Sequence, residues 1–396
     1  MNRDTSSTGQ VAPLFAAGFT TAFGAHSIAA GLGSEFDALN SSLLTLGILL
    51  AIYDVAEVIL KPVFGTLSDR IGAKPVILGG LIVFTLMSVL GIFAQSTLAL
   101  GLVRLGQGAA ASAFSPAASA AVARLSGSNT GQYFGRYGAW KTLGYVVGPL
   151  LGAALIWWSG FPALFAFMAV ISLVAALWVW LKMPSLPLLP KKRYTLGDLV
   201  SQTTEPGFLV PTMVLAASTA ALGTAVGFLP LIGSNLGLNA MQDMSVVSLL
   251  AICSALVQPW IGRIKDRAKI TFRNGMVTGL LLIVAGLSCI AIWHSLATLL
   301  LCAVLLGTGV GVTTPLGFAH LASNTSEERM GRTMGSAELG RELGDAGGPL
   351  LVGAIATAVS VSAGLWTLAG IILVIVALGI LMFHLPDPKS QQGTLA

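Results

Sequence analysis

Twelve apolar stretches, each long enough to cross about 30 Å of hydrocarbon as a helix, divide this 396-residue chain and constrain its fold more than any other feature. They run over residues 11–34, 40–64, 76–95, 97–124, 134–158 and 162–181. A polar segment follows, with Pro184, Pro187, Pro190 and the cluster Lys191, Lys192, Arg193, and then come 209–236, 240–262, 275–293, 296–323, 333–358 and 361–383. In lipid every backbone N–H and C=O must be satisfied within the segment, so such runs fold as helices. A membrane barrel is excluded, because its strands alternate apolar and polar residues. Only 9% of the residues are charged and 55% are hydrophobic, against about a quarter charged in soluble domains. The expected fold is an all-α membrane protein of twelve transmembrane helices.

The net charge of +5 reflects topology rather than nucleic acid. Counted loop by loop, 18 of the 21 basic residues fall on one side of the spans, and that side reads as cytoplasmic because positive charge is retained there. The count places Lys61, Arg70 and Lys74 together after span two, and Arg104, Lys141 and Arg341 within spans. Both termini are then cytoplasmic in a multi-pass cell (inner) membrane protein. The polar residues 1–10 lead into a run of spanning length without a cleavage site, so the first helix is expected to stay. Cys253, Cys289 and Cys302 lie inside apolar runs and read as small core residues, not as disulfides.

The two halves of the chain repeat each other. The stretch from Gly135 through Lys141 and Gly144 to Gly148, Pro149 and Leu151 aligns at an offset of 200 with Gly335 through Arg341 and Gly344 to Gly348, Pro349 and Leu351. Leu105-Gly-Gln-Gly108 matches Leu306-Gly-Thr-Gly309, and Gly65 with Asp69 and Arg70 matches Gly262 with Asp266 and Arg267. Two homologous bundles in the same orientation follow, 1–181 and 209–396, joined by a cytoplasmic loop over 182–208. This is the parallel-repeat plan of secondary transporters.

Between spans two and three lies Gly65-Thr-Leu-Ser-Asp69-Arg70-Ile-Gly72-Ala-Lys74-Pro75. Its glycines suit a tight turn and close helix approach, and Asp69 and Arg70 can pair or cap helix ends. This segment resembles the G-x-L-x-D-R-x-G-x-K/R signature of the major facilitator superfamily. Arg104-Leu-Gly-Gln107-Gly108 resembles that family's fourth-helix pattern. Gly144-Tyr-Val-Val-Gly148-Pro149-Leu-Leu-Gly152 resembles the fifth-helix pattern of its drug/proton antiporter branch. The later copy of the loop, Gly262 to Ala268, lacks the second glycine. Gly144, Gly148 and Gly152, four apart, form a smooth stripe for backbone packing, with Pro149 expected to bend it. The resemblance implies that this contact seals the cytoplasm-facing state.

Ionisable residues at mid-membrane cost about 2.5–3.5 kcal/mol each on insertion scales, so each needs a reason. The bases are Arg104, Lys141 and Arg341; the acids are Asp54 and Glu57 in span two and Glu338, Glu342 and Asp345 in span eleven. Positions 338, 341, 342 and 345 share one helical face, which must point at a cavity or a polar neighbour. Three bases matched to three acids leave two carboxyls, the candidates for proton carriage. Where spans two and eleven meet, as the resemblance implies, Asp54 and Glu57 are placed to approach Arg341, and Lys141 is assigned a partner in its own half. Arg104, near the family's central cavity, either pairs with an acid, favours ionisation of a coupling carboxylate, or binds an anionic substrate.

By the same family analogy spans one, four, seven and ten face the centre. Phe19, Phe23, Tyr53, Phe114, Trp140, Phe228 and Phe318 are then candidate lining for a hydrophobic compound, along with Gln107 and the histidines His26 and His320, which are also possible proton relays. No phosphate-cradling loop, metal cluster or nucleophile elbow occurs, so no cofactor, no metal and no enzyme chemistry are expected. The expected function is proton-coupled transport of a small molecule by alternating access, export preferred, with protons and the lipid bilayer as the other partners and a monomer as the unit. Two rivals stand: a proton symporter or uniporter importing an organic anion through Arg104 and Arg341, and a non-transporting membrane sensor.

Overall fold

The computed structural model describes residues 8–28, 43–187 and 205–382. The chain ends, the expected connection between spans one and two, and Lys191, Lys192 and Arg193 with most of the 182–208 segment lie outside the described residues. Among those described are one turn of 3-10 helix (Glu327–Arg329), eleven α-helices and no strand. The helices are α1 (Thr8–His26), α2 (Leu43–Ile71), α3 (Ala73–Ile92), α4 (Thr97–Leu125), α5 (Thr130–Lys182), α6 (Pro206–Asn235), α7 (Ala240–Asp266), α8 (Phe272–Ile292), α9 (Leu296–Ser323), α10 (Met330–Ala358) and α11 (Val361–Met382).

Helix α5 covers two expected spans. Its backbone leaves helical geometry at Ser159 and at Gly160, whose φ of +69° suits a residue without a Cβ, and Pro162 opens the second stretch. Pro149, where a bend is expected, lies inside the helix with helical dihedrals. Among the described residues seven helices are long and apolar enough to cross a membrane: α3, α5, α6, α7, α8, α9 and α11. Of the others, α2 and α10 hold the charged rows, and α4 is rich in Ala and Ser, with every residue from 110 to 122 buried against protein. Three of the four helices that look least like membrane spans, α1 being the other, therefore sit at or next to the charged centre.

Two apolar cores account for the packing. One gathers α1 to α5 around Phe84, Phe114, Phe134 and Phe165 and takes in residues of α6, α9 and α10 such as Leu215, Phe318 and Met334; the other gathers α6 to α11 around Met276, Ile283, Leu306 and Ile372. The stripe Gly144, Gly148, Gly152 faces α1, where added methyls would press on the backbone of Phe19, Phe23 and Ser27. It is packing within one half, and Gly344 and Gly348 repeat it against Ala216 and Ala220 of α6. Cys302 is buried, whereas Cys253 and Cys289 are half-buried, and all three are free thiols.

The halves meet through α2 against α10 and α5 against α7. Gly65 lies against the Gly331 carbonyl and Gly335, and Gly262 against the Gly131 carbonyl, so that a methyl at either would collide with backbone. Asp69 does not lie in a loop as expected, because α2 continues to Ile71 and only Gly72, with φ +97°, makes the turn. From that last helical turn Asp69 accepts from the N–H groups of Gly331 (2.6 Å) and Arg332 (2.8 Å) at the start of α10. Asp266 does the same for Gly131 (2.8 Å) and Gln132 (2.7 Å) at the start of α5, although its segment lacks the second glycine. Each carboxylate answers the orphan donors and positive end of a helix in the other half. Arg70 is exposed, and Lys74 donates to the carbonyls of Trp180 (3.0 Å) and Met183 (2.6 Å) where α5 ends. The two halves are thus closed against each other at the end that carries the basic segments.

Candidate functional site

One helical turn and more inward from this closed end, α2 and α10 carry their charges into contact. Lys61, counted from the sequence as a loop residue, is fully buried and central. Its Nζ lies 3.1 Å from Glu57 Oε2 one turn back, 2.7 Å from Glu342 Oε1 and 3.9 Å from Glu338 Oε2 on α10. The signal was in the spacing: 54, 57 and 61 fall on one face of a helix whose expected span already included residue 61.

Glu338 reaches from α10 into the other half. Lys141 Nζ on α5 donates to its Oε2 at 2.8 Å, and Ser119 Oγ on α4 donates to its Oε1 at 3.0 Å. Arg341, one turn on, lies 4.0 Å from Glu338 Oε2 and 3.6 Å from Glu342 Oε1. Lys141 is therefore matched across the halves and not within its own, and Arg341 is matched on its own helix and not by Asp54 or Glu57. Three cations (Lys61, Lys141, Arg341) share three carboxylates (Glu57, Glu338, Glu342). Removing one partner from such a buried set leaves an uncompensated charge.

Asp54 and Asp345 stand apart. Among the described residues neither has a cation within 4.0 Å; Asp54 is exposed and Asp345 half-buried. They lie within electrostatic range of each other and of Glu342, on the side of the charged set away from the closed end. Two carboxyls remain without a base, as the sequence implies, but by a different matching: Lys61 enters the set and Arg104 leaves it.

Among the described residues Arg104 pairs with no acid. It is buried, donates to the carbonyls of Gly24 (2.8 Å) and Ala25 (3.3 Å), and lies 4.3 Å over the Tyr53 ring, while Gln107 accepts from it at 3.3 Å and donates to Ser88. Tyr53 in turn donates to the Thr21 carbonyl. These residues tie α1, α2, α3 and α4 together inside one half.

The aromatic candidates divide. Phe114 is buried edge-to-face on Phe84, Phe23 packs on Phe167, Phe318 stacks on Phe134 at 5.6 Å and Phe228 rests beside Gly353. Only Trp140, set edge-on to half-buried Phe19, is largely exposed. His26 Nδ1 lies 3.0 Å from the Ala22 carbonyl, its ring 4.0 Å from that of Tyr145. His320 stacks on Phe272 in the second half, away from the charged set. Tyr145, whose hydroxyl accepts from Arg341 at 3.2 Å, Ser115, whose hydroxyl accepts from Lys141 at 3.4 Å, and Ser119 were not legible as site residues, because nothing in a run of small and aromatic residues marks which hydroxyl faces a charge.

The second contact between halves repeats this geometry without charge. Gln258 occupies the place in α7 that Lys61 holds in α2, and donates to Thr142 (2.8 Å) and Ser254 (3.1 Å). Gly138 and Thr142 stand where α10 has Glu338 and Glu342, and the Gln258 amide oxygen is pressed against Gly138.

A family model described as the Major Facilitator Superfamily matches residues 14–274 and 212–395. An uncharacterised MFS-type transporter of Methanocaldococcus jannaschii is 22% identical over 338 residues, 82% of this chain and 86% of the relative. Multidrug resistance protein MdtG of Erwinia billingiae is 32% identical over 136 residues, but the match covers only 34% of this chain and 33% of MdtG. Among solved structures, the human organic anion transporter TETRAN superposes with a TM-score of 0.81 at 18% identity, over 94% of this chain and 99% of its own. The transporter FucP in its outward conformation gives 0.78 at 15% identity, over 94% and 98%.

Proposed function

The chain belongs to the Major Facilitator Superfamily, and from that premise we propose that it exports a small molecule across the cell inner membrane in exchange for protons. It is a multi-pass membrane transport protein and not an enzyme. With the basic end cytoplasmic and twelve spans in two bundles, the closed end faces the cell interior and the Asp54 side faces out.

The observation that carries this reading is Glu338 held in the opposite half by Lys141 and Lys61. Lys61 on α2 and Lys141 on α5 reach acids of α10, which carries three acids to one cation, so the halves attract each other across the contact. Parting them leaves α10 with acids in excess, which is unfavourable in a low dielectric unless protons arrive. Protons entering from the open side and taken up by the α10 carboxyls remove the anions that Lys61 and Lys141 require. The closed end then loosens and opens inward. Loss of those protons to the cell interior restores the anions and draws the end shut. The substrate moves in the other direction during the same exchange, and the exposed ring of Trp140 beside Phe19 supports a hydrophobic compound, as does the description of MdtG as a multidrug resistance protein.

In proteoliposomes loaded with a pH indicator, a transported compound found by thermal-shift screening should drive proton movement opposite to its own. Transport that ignores an imposed pH gradient defeats the proposal.

A further inference from the structure

The repeat that relates the two halves puts different chemistry at one matched position. In the first half α5 packs on α1, and Tyr145 of α5 meets His26 of α1 with ring centroids 4.0 Å apart. Gly144 and Gly344 face the carbonyls of Phe19 and Ala216, and Gly148 and Gly348 lie against Phe23 and Ala220, so the match carries Tyr145 to Asp345 and His26 to Gly223. Where one half has two rings, the other has a carboxyl and a residue without a side chain. The carboxyl uses the space: a methyl added at Gly223 would stand 2.8 Å from Asp345 Oδ1, 2.5 Å from the Asp345 carbonyl and 3.2 Å from the Pro349 ring. The charged and titratable groups around Asp345 are Arg341 and Glu342 on its own helix, Tyr145 on α5 with His26 of α1 beside it, and Asp54, Glu57 and Lys61 on α2. Arg104 on α4 is turned to the α1 carbonyls, and α6 and α11, packed along α10, bring no such group to this level.

We infer that Gly223 is a positioning residue for Asp345: the missing side chain opens a notch on α6 that seats this carboxyl against the backbone of its own half. Seat and carboxyl both belong to the second half and move as one body when α10 leaves α2. Asp54 and Lys61 belong to the first half and withdraw. What changes for the Asp345 proton during the cycle is then the charge opposite it, while the seat stays constant. A carboxyl held in this way reads the separation of the halves through those charges, whereas one free to swing would follow its partners and blur the difference. This inference rests on the proton-coupled reading and adds to it the residue that fixes one carboxyl in place.

Two fluorophores on opposite walls of the cleft at the closed end, at Ser128→Cys and Ser323→Cys in a full-length chain with Cys253, Cys289 and Cys302 replaced by serine, report the distance between halves as pH is lowered. A wild-type distance that does not respond to pH overturns the proton-coupled reading and this inference with it. Given a response, the methyl of Gly223→Ala turns the carboxyl out of the notch toward the open side between the halves, and the midpoint should fall by about one pH unit. The same methyl in an Asp345→Asn background, where the amide keeps the shape and loses the charge, should leave the midpoint where Asp345→Asn alone puts it. Gly344→Ala strikes the Ala216 carbonyl on the same pair of helices without touching a carboxyl. It should lower thermal stability and leave the midpoint alone. Should Gly223→Ala not fold, Asp345→Glu carries the carboxyl one methylene beyond the notch and should likewise lower the midpoint. An unmoved midpoint in the variant that folds, a shift that persists without the Asp345 charge, or an equal shift in Gly344→Ala overturns the inference while leaving the proton-coupled reading intact.

Discussion

Lys61 Nζ and Glu342 Oε1 stand 2.7 Å apart although 281 residues separate them, and both belong to a buried set with two further carboxylates and two further cations. Because each half supplies one partner, the pair exists only while α2 and α10 are in contact. Removing either partner alone should cost about 3–5 kcal/mol, because the other is left buried and charged. Lys61→Gln and Glu342→Gln are expected to be strongly destabilised singly and much less than additively destabilised together, by thermal unfolding in detergent. Strict additivity would mean that the pair is not a pair in solution.

Glu338 is held by Lys141 and by the Ser119 hydroxyl. Glu338→Gln preserves an acceptor for Ser119 but no anion for the lysines. Substrate movement in proteoliposomes should then lose its response to an imposed pH gradient. Full coupling in this variant would remove Glu338 from the mechanism.

Asp345 and Glu342 differ in a way that separates folding from coupling. Asp345 forms no ion pair within 4.0 Å among the described residues, so Asp345→Asn should insert and unfold like the parent chain while proton exchange falls steeply. A marked loss of thermal stability in Asp345→Asn would show an ion-pairing role in its place.

The two helix caps should be interchangeable in effect. Asp69→Ala and Asp266→Ala each strip two N–H groups of their acceptor, a loss of about 1 kcal/mol for a cap, and each should shift the fluorescence distance at the closed end toward opening. Burial pushes the Asp69 carboxyl up to about 6 despite the pull of the Arg332 and Gly331 N–H groups. Asp69→Asn, which keeps one acceptor and buries no charge, should therefore be milder than Asp69→Ala. Equal effects of alanine and asparagine would contradict this.

Gly65 and Gly79 offer a steric contrast on neighbouring helices. A methyl at Gly65 would strike the Gly331 carbonyl, whereas Gly79 has open space around its Cβ position. Gly65→Ala should open the basic end and lower activity; Gly79→Ala should do neither, by the same distance measurement. A silent Gly65→Ala would mean that the helices can slide apart without consequence.

The helices were legible because lipid leaves a chain so few alternatives: the 296–323 span matches α9 at both ends, and the break before Pro162 is carried by a glycine. The turn after span two comes later than its charges suggest, because Asp69 remains helical to cap another helix. Lys61 likewise lies within the span, because acids on two helices surround its charge. A single sequence gives the face on which a charge lies, as for 338, 341, 342 and 345, but not its partner, since Lys141 or Ser119 at Glu338 depends on rotations between helices that no spacing encodes. Arg104 escaped in the same way, because backbone carbonyls leave no mark in a sequence.

The Gln258 and Thr142 contact has a wider consequence. Acid and transmembrane voltage exert no force on neutral amides and hydroxyls, whereas both act on Lys61 and Glu342. Since both sides carry a carboxylate cap at the closed end, the difference lies deeper: one side is held there by a contact of constant stiffness and the other by a latch whose grip depends on its surroundings. The swing between bundles should accordingly be lopsided, with α10 swinging out from α2 before α5 and α7 part.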